Sequence, residues 1–231
     1  MAEKITYAYA TKIYPNSYGL QEIILENKFT QKEKLKISRN GSSNGIDTAY
    51  YDLTLISDSE RKALQEALGI KRDDFVFAFV GRLVTERGVN ELVSAFIKII
   101  EQYSNSKLLS VGPYEPTMDP LSASAMEAIH IHSQIISVGW KNEVRSYFAI
   151  SNSLAFPSYR EGFPNVVLQA GAMKLPCIVT NINGCNEIIS HNENGIIIPV
   201  KDALALCEAM TNILNHQEKS KKNGSIFKVS Y

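Results

Sequence analysis

Short apolar runs alternate with amphipathic stretches through most of the chain, between about residues 73 and 209. The apolar runs are bounded by Gly, Pro or Ser and read FVFAFV, KLLSVG, IISVGW, SLAFPS, PCIVT and GIIIPV. The stretches between them place apolar residues at helical spacing, as in VNELVSAFIKIIEQY. Near-continuous apolar strands separated by helices are typical of a mainly parallel sheet covered on both faces. The sequence therefore predicts an α/β fold with a Rossmann-like, doubly wound parallel sheet.

The composition excludes several classes of protein. Lys plus Arg and Asp plus Glu both number 24, so no net charge would attract nucleic acid, and we expect no nucleic-acid partner. The longest apolar runs are far shorter than the roughly 20 residues that span a bilayer. The amino terminus has no apolar signal-peptide region. The three cysteines form no C-x-x-C pair, which fits a reducing cytoplasm and argues against a disulfide framework or a structural zinc.

The two ends of the chain differ from this central region. LQEIILENKF predicts a helix, and KLKIS predicts a strand that runs into the loop RNGSSNGID. SDSERKALQEAL opens with Ser57 and Glu60 three residues apart, the capping-box spacing that predicts the start of a helix. The last residues, EKSKKNGSIFKVSY, carry four lysines and one glutamate without a helical apolar stripe, so we predict a basic tail.

Two loops that follow predicted strands carry charge suited to an anion. Parallel sheets bind ligands outside the carboxyl ends of their strands. In GRLVTERG, Arg82 and Arg87 lie between glycines and next to a predicted helix amino terminus, a combination that suits a phosphate group. The alternative is that both arginines pair with nearby carboxylates such as Glu86 and Glu91. The chain lacks G-x-G-x-x-G and G-x-x-x-x-G-K-[ST], which disfavours an NAD site and an NTPase P-loop.

The second loop is SYREGFPN, which leads into a predicted helix. Pro164 suits the first helical turn, because its missing N–H would have no partner there. Glu161 then lies just outside the helix amino terminus, where its carboxylate can accept hydrogen bonds from sugar hydroxyls. Gln169 lies more than one turn inside the helix. The alternative is that Glu161 only caps its own helix.

Together these motifs resemble the carboxy-terminal lobe of the retaining glycosyltransferases of family 4, the group 1 transferases. The resemblance rests on FVGRLVTERG, KLLSVG, IISVGW and FPSYREGFPNVVLQAGAMKLPCIVTNINGCNEII in that order. It continues through NGIIIPVKDALALCEAM and reaches back through NGSSNGID to YPNSYGLQEII. The motif REGFPNVVLQAGAM is similar to the corresponding motif of transferases that assemble bacterial surface polysaccharide. The resemblance implies one lobe of a GT-B fold whose amino-terminal lobe is largely missing from these residues.

The resemblance also implies roles for individual residues. The catalytic set it implies is Arg82 and Arg87 on the donor diphosphate and Glu161 on the donor sugar. The family's second glutamate, bonded to the ribose, falls at Gln169, which keeps an acceptor but loses the charge. The residues implied to bind the donor are Gly81, Trp140 and Lys141 (near the nucleobase), Gly162, Phe163, Pro164, Asn165 and Gln169.

The implied activity is transfer of a sugar from a UDP- or GDP-sugar to a glycan or lipid-linked acceptor, with retention of configuration, in polysaccharide or capsule biosynthesis. Guanidinium groups and a helix amino terminus stabilise a departing diphosphate, so we expect no metal and no cofactor. His130 and His132 are two apart on a predicted helix and point in different directions, as surface residues do.

The domain organisation that follows has three parts. Residues 1–54 correspond to the remnant of the amino-terminal, acceptor lobe and the interlobe connection. Residues 55–218 form the nucleotide-sugar donor-binding domain, and 219–231 form the basic tail. Two such lobes need roughly 300 residues, so we expect this chain to be the donor-binding half. Its partner would be an amino-terminal lobe in trans, or a second copy that covers apolar surface along 7–24. We expect a cytoplasmic location, at most peripheral at the inner membrane face through the basic tail, whose charges are otherwise simply solvated.

Two other functions compete with this one. A non-catalytic nucleotide-sugar-binding module would account for the missing lobe and for Gln169. A sugar-nucleotide epimerase of the same architecture would need acid and base carboxylates at the sugar, whereas the donor loop offers Glu161 alone.

Overall fold

The computed structural model describes residues 2–38, 41 and 45–223, with the side chains of residues 2–3 and 217–223 left undescribed. The strands are β1 (Phe75–Val80), β2 (Ser106–Val111), β3 (Ile135–Ser137), β4 (Ser153–Phe156), β5 (Cys177–Thr180) and β6 (Gly195–Ile198). The helices are α1 (Ala2–Tyr9), α2 (Tyr18–Glu26), α3 (Asp58–Ala67), α4 (Val89–Gln102), α5 (Ala123–Ile131), α6 (Arg145–Ala149), α7 (Asn165–Ala172), α8 (Cys185–Ile188) and α9 (Ala203–Asn223). Short 3₁₀ turns occupy Lys32–Lys34, Leu53–Leu55 and Thr85–Arg87.

The strands form one parallel sheet in the order β3-β2-β1-β4-β5-β6. The chain enters the sheet at its centre, winds outward to β3, returns to the centre at β4 and winds outward again to β6. This order confirms the predicted Rossmann-like, doubly wound fold. The direction of winding reverses between β1 and β4, and a crevice at the carboxyl ends of these two strands is where such folds bind ligands.

The core explains why the strands read as continuous apolar runs. Phe77 and Phe79, two positions apart in β1, point to the same face of the sheet, and the intervening Ala78 points to the other; all three are fully buried. Leu92 and Phe96 of α4 cover the sheet with an apolar helix face and are also fully buried. A strand with helices on both sides has no solvent face, so it shows no polar alternation.

One predicted strand is wrong. KLKIS does not form a strand: a 3₁₀ turn covers Lys32–Lys34, and Leu35 makes an isolated parallel bridge with Ile13. The bridge consists of a bond from the Ile13 N–H to the Lys34 carbonyl (2.8 Å) and one from the Lys36 N–H to the Ile13 carbonyl (2.9 Å). A strand needs a partner along its length, and the segment around Ile13 offers one residue of pairing. The helix predicted at LQEIILENKF is confirmed as α2, whereas α1 was not predicted.

The carboxy-terminal helix is longer than its apolar pattern indicates. α9 continues to Asn223, so the predicted basic tail begins inside a helix, and its residues 224–231 lie outside the described residues. Lys and Glu have high helix propensity, so a helix can continue through EKSKK without an apolar stripe. Periodicity detects an apolar helix face and therefore gives no signal in a helical segment whose sequence lacks one.

The capping box before α3 is confirmed and carries a prediction. The Ser57 hydroxyl accepts a bond from the Glu60 N–H (3.2 Å), and the Glu60 carboxylate accepts one from the Ser57 N–H (2.8 Å). Ser57→Ala is expected to lower the free energy of unfolding by about 1 kcal/mol, because an N–H group of α3 loses its partner. Urea denaturation measures this loss, with Lys62→Ala, an exposed change on the same helix, expected to stay within about 0.5 kcal/mol. Equal effects of the two variants would contradict a capping role for Ser57.

Candidate active site

Two loops meet at the crevice between β1 and β4. The loop after β1 ends in the 3₁₀ turn Thr85–Arg87, and Gly88 then turns the chain into α4 with a left-handed φ of 70°. A Cβ on Gly88 would stand 2.8 Å from the carbonyl carbon of Pro157, in the loop after β4, and closer still to its oxygen. The Tyr159 N–H also donates to the Glu86 carbonyl (2.9 Å). The two loops therefore contact each other directly through their backbones.

At this contact Arg87 and Glu161 form an ion pair. Their side chains are 23% and 14% exposed, which makes the pair largely buried but still reachable from the crevice. Burial, together with the neighbouring charge of Arg82, lowers the pKa of Arg87. The fully buried Ser158 hydroxyl lies between the partners, 3.1 Å from Glu161 Oε1 and 3.4 Å from Arg87 Nη1. The structure thus brings together a cation and a carboxylate that are 74 positions apart in the sequence.

Arg82 lies at the rim of the same crevice. Its guanidinium bonds to Glu86 (3.1 Å) and to Glu115 of the loop after β2 (2.8 Å), and Arg160 bonds to the other oxygen of Glu86 (2.8 Å). The pairing of Arg82 with Glu86 that the sequence left open is present, whereas Glu91 accepts the Tyr159 hydroxyl (2.7 Å). Because Arg82 is 43% exposed, these pairs are weak, and an anion can replace the carboxylates at little cost.

The turn after Glu161 packs against the loop between β5 and α8. The Asn183 side-chain amide donates to the Glu161 carbonyl (2.5 Å) and lies 3.4 Å from the Gly162 carbonyl. Gly184 has a φ of 78°, and a Cβ there would stand 2.8 Å from the Phe163 Cα. The predicted position of Pro164 shifts by one residue, since it is the cap residue before α7. The backbone of this turn is therefore held by the β5 loop.

The remaining predicted site residues lie on α7 and after β1 and β3. Asn165 is the exposed first residue of α7, and Gln169 is half-buried in its second turn. Trp140 (64% exposed) and Lys141 follow β3, whose distance from β1 is two strand spacings, or about 10 Å. Gly81 directly follows β1, and its carbonyl carbon would stand 2.6 Å from a Cβ on Gly112, so it lies at a close approach of two loops.

Sequence reasoning missed several residues that shape the site. Ser158 lies inside the quoted motif SYREGFPN, but a serine in a loop carries no signal of burial. Tyr159 bonds through its hydroxyl to Glu91, and burial and that carboxylate raise its pKa. Asn183 and Glu187 lie in NINGCNEII, to which no individual role was given. Ser158 and Tyr159 bond to side chains of other segments, and Asn183 and Glu187 bond to backbone groups, and no local pattern reveals such partners.

The site offers little to other kinds of chemistry. Cys185 follows the β5 loop, but burial raises the pKa of its thiol to about 12, so it remains protonated at neutral pH. Across residues 2–38, 41 and 45–223, no group of three or more His, Cys, Asp or Glu side chains is arranged to hold a metal ion.

None of the helices in this same part of the chain is long and apolar enough to cross a membrane.

Comparison with known proteins identifies the family of the chain. Residues 60–226 match the family model described as glycosyl transferases group 1. The chain is 29% identical over 217 residues to the capsular polysaccharide biosynthesis glycosyltransferase CapM of Staphylococcus aureus, covering 94% of this chain and 56% of that protein. It is 28% identical over 210 residues to the UDP-Gal:alpha-D-GlcNAc-diphosphoundecaprenol alpha-1,3-galactosyltransferase of Escherichia coli, covering 88% and 52%. The chain thus spans about half the length of the curated relatives it matches.

Solved structures show the same fold. Anabaena Alr3699/HepE in complex with UDP and glucose superposes with a TM-score of 0.81 at 19% identity, covering 94% of this chain and 57% of that one. WaaG, a glycosyltransferase involved in lipopolysaccharide biosynthesis, superposes with a TM-score of 0.75 at 20% identity, covering 90% and 54%. Both likenesses describe the arrangement of the backbone, which agrees with the sheet order above.

Proposed function

Because the chain belongs to the group 1 glycosyl transferases, we propose that it is the donor-binding half of an enzyme that moves a sugar from a UDP- or GDP-sugar to a glycan or lipid-linked acceptor, with retention of configuration. The observation that carries this proposal is the meeting of Arg87 and Glu161 at the switch point of the sheet. A cation suited to a diphosphate and a carboxylate suited to sugar hydroxyls lie there side by side.

The proposed reaction breaks the bond between the sugar anomeric carbon and the diphosphate oxygen. The acceptor oxygen bonds to the same face of that carbon, and its proton passes to an oxygen of the leaving phosphate. Arg82 and Arg87 stabilise the negative charge that develops on the leaving group. Glu161, released from Arg87 as phosphate takes its place, orients the sugar through its hydroxyls. These groups supply the charge stabilisation that a metal supplies elsewhere, so we propose a metal-independent reaction without a cofactor.

The nucleotide end of the donor would lie along the carboxyl edge of the sheet. The separation of about 10 Å between the loops after β1 and β3 suits a nucleoside diphosphate with its base near Trp140 and Lys141. A role for UDP and for surface polysaccharide is supported by relatives: the Escherichia coli protein is named for a UDP-Gal donor and a diphosphoundecaprenol acceptor, and the Staphylococcus aureus protein for capsular polysaccharide. We propose a location in the cytoplasm, at the inner face of the membrane.

An exposed aromatic strip supports the proposal that a second lobe packs against this chain. Large apolar side chains along α1 and α2 and the segment between them are 41–87% exposed, and they are Ile5, Tyr9, Tyr14, Tyr18 and Ile23. Exposed apolar residues in one stretch mark an interaction surface. Since the relatives are about twice as long as this chain, we propose that an amino-terminal lobe covers the strip, from the same polypeptide or in trans. Self-association through the strip is the alternative.

Nucleotide binding tests the proposed donor site. In a calorimetric titration with UDP, GDP and their sugar conjugates in the presence of EDTA, we expect saturable binding of one nucleotide. Arg82→Ala is expected to weaken it by about tenfold, the effect of losing one charge-assisted contact with phosphate. Arg61→Ala, which removes an arginine of α3 that pairs with Asp58 of the same helix, is the matched control and is expected to leave the nucleotide affinity unchanged. A folded chain that binds neither nucleotide, or binds one only with added metal, would overturn the proposal.

Gln169 favours a second candidate, a non-catalytic module that binds nucleotide sugars. The amide keeps a hydrogen-bond acceptor for a ribose hydroxyl but lacks the charge implied by the resemblance. Mixing this chain with a separately produced amino-terminal lobe distinguishes the two functions. Recovered sugar transfer identifies a catalytic half, whereas binding without transfer favours the module.

A further inference from the structure

The amino terminus of α2 is capped by a residue from the carboxy-terminal half of the chain. The Glu187 carboxylate accepts hydrogen bonds from the N–H groups of Tyr18 (2.8 Å) and Gly19 (3.0 Å), which precede it by 169 and 168 positions. The Ser17 hydroxyl accepts the next N–H, that of Leu20 (3.0 Å). The first N–H groups of a helix lack partners within it, and their dipoles favour a negative charge. Glu187 therefore holds α2 by charge-assisted bonds at its first turn.

The same carboxylate holds the loop between β5 and α8. Its Oε1 atom also accepts the Gly184 N–H at 3.2 Å. Gly184 packs so closely on the donor-site turn that a Cβ there would stand 2.8 Å from the Phe163 Cα. The adjacent Asn183 donates its side-chain amide to the Glu161 carbonyl at 2.5 Å. One side chain thus ties the β5 loop, which supports the donor-site turn, to α2.

The segment that begins α2 also contacts the turn directly. A Cβ on Gly162 would stand 2.6 Å from the Asn16 side-chain nitrogen, and a Cβ on Gly19 would stand 2.5 Å from the Asn183 Cβ. The three segments 16–19, 161–163 and 183–187 are therefore in mutual van der Waals contact. Close-packed groups of this kind shift together, because none has space to move alone.

We propose that Glu187 is a positioning residue for the turn 161–163, acting through its bonds to α2 and to the β5 loop. The proposal rests on the proposed donor-binding function of that turn. Glu187 bonds to backbone N–H groups of Tyr18, Gly19 and Gly184, so its proposed effect on the sugar-binding groups is to set their position. It also connects the turn to the exposed aromatic strip, since Tyr18 belongs to both the strip and the cap.

Glycine amide signals test the coupling without any ligand. Glu187→Gln keeps the shape of the side chain but sets an amide N–H₂ group against backbone N–H donors. In spectra of the chain labelled with ¹⁵N-glycine, the signals of Gly19 and Gly184 are expected to move, because both N–H groups bond to Glu187. We expect the Gly162 signal to move as well. If Gly162 stays unchanged while the other two move, Glu187 is only a local cap and the proposal is overturned.

Two further variants make the result specific. Glu60→Gln makes the same substitution in the cap of α3, and it is expected to leave the signals of Gly19, Gly162 and Gly184 unchanged. Ser17→Ala disturbs α2 from its own side without altering Glu187, and it is expected to move the Gly162 signal too. If the Gly162 signal is unchanged in Ser17→Ala, coupling through α2 is contradicted. This test remains available even if Glu187→Gln fails to fold.

Ligand affinities separate this proposal from the donor function itself. Glu187→Gln is expected to weaken the binding of a nucleotide sugar by about tenfold, which corresponds to the loss of one well-placed hydrogen bond. The affinity for the nucleotide alone is expected to change by no more than about twofold. Equal weakening of both ligands would overturn the positioning role. If the unaltered chain binds neither, the donor function fails, and the glycine signals still decide the role of Glu187.

Discussion

Arg87→Ala is expected to weaken binding of the nucleoside diphosphate by at least about tenfold and to slow sugar transfer by about 100-fold or more, the effect of losing one group that stabilises the transition state. Arg87 is the cation nearest to Glu161, and its side chain is largely buried. In such an environment a charge interacts more strongly with a phosphate than it would in water. Calorimetry with the chain measures the first effect, and transfer by the chain combined with its amino-terminal lobe measures the second.

Two controls separate charge from folding. Arg87→Lys keeps the charge but loses the planar, bidentate guanidinium, so its affinity is expected to fall between those of the original chain and the alanine variant. Urea denaturation of Arg87→Ala shows whether Glu161, left without its partner, lowers the stability of the domain. An alanine variant that is folded and binds the nucleotide with unchanged affinity would remove Arg87 from the donor site.

Gly88→Ala is expected to lower the free energy of unfolding by about 3 kcal/mol, because it combines two costs. The left-handed backbone costs a residue with a Cβ about 1–2 kcal/mol. The overlap of that Cβ with the Pro157 carbonyl adds about 1–3 kcal/mol, since the loops after β1 and β4 would have to separate. The same separation would move Arg87 away from Glu161, so nucleotide affinity is expected to fall with stability.

Gly69→Ala is the matched control for this change. Gly69 has a φ of 66°, almost that of Gly88, but a Cβ there would meet nothing within 4 Å. Its substitution is therefore expected to cost about 1 kcal/mol from backbone conformation alone. Urea denaturation of the two variants isolates the contact between the loops. Equal losses in both would mean that the loops separate freely and that their contact does not set the geometry of the site.

Burial determines which elements of this fold can be predicted from the sequence. All six strands of the sheet were predicted, because strands buried on both faces contain little besides apolar residues. Helices such as α4 were predicted because they bury one stripe of side chains. The failures have local reasons: KLKIS has strand-like residues but no partner strand, α1 has no buried side chain among residues 4–9, and the sequence of the end of α9 has no apolar stripe.

The loops after β1 and β4 could be selected from the sequence because a doubly wound sheet places its ligand at strand carboxyl ends, whatever the side chains are. The sequence could not, however, predict which carboxylate pairs with each arginine. Arg87 lies one residue from Glu86 and four from Glu91, yet it pairs with Glu161 from the other loop. Nearness in sequence favours the local pairs, but the close approach of Gly88 to Pro157 brings the distant carboxylate nearer.

The class of fold, the six strands and the loops that carry the charged motifs follow from the sequence, because burial and periodicity act within one segment at a time. The position of Ser158 between Arg87 and Glu161, and the capping of α2 by Glu187 from the carboxy-terminal half of the chain, depend on the folded structure. Those contacts join segments whose approach is set by the packing of the whole sheet and its helices. Their geometry therefore exists only once the chain has folded.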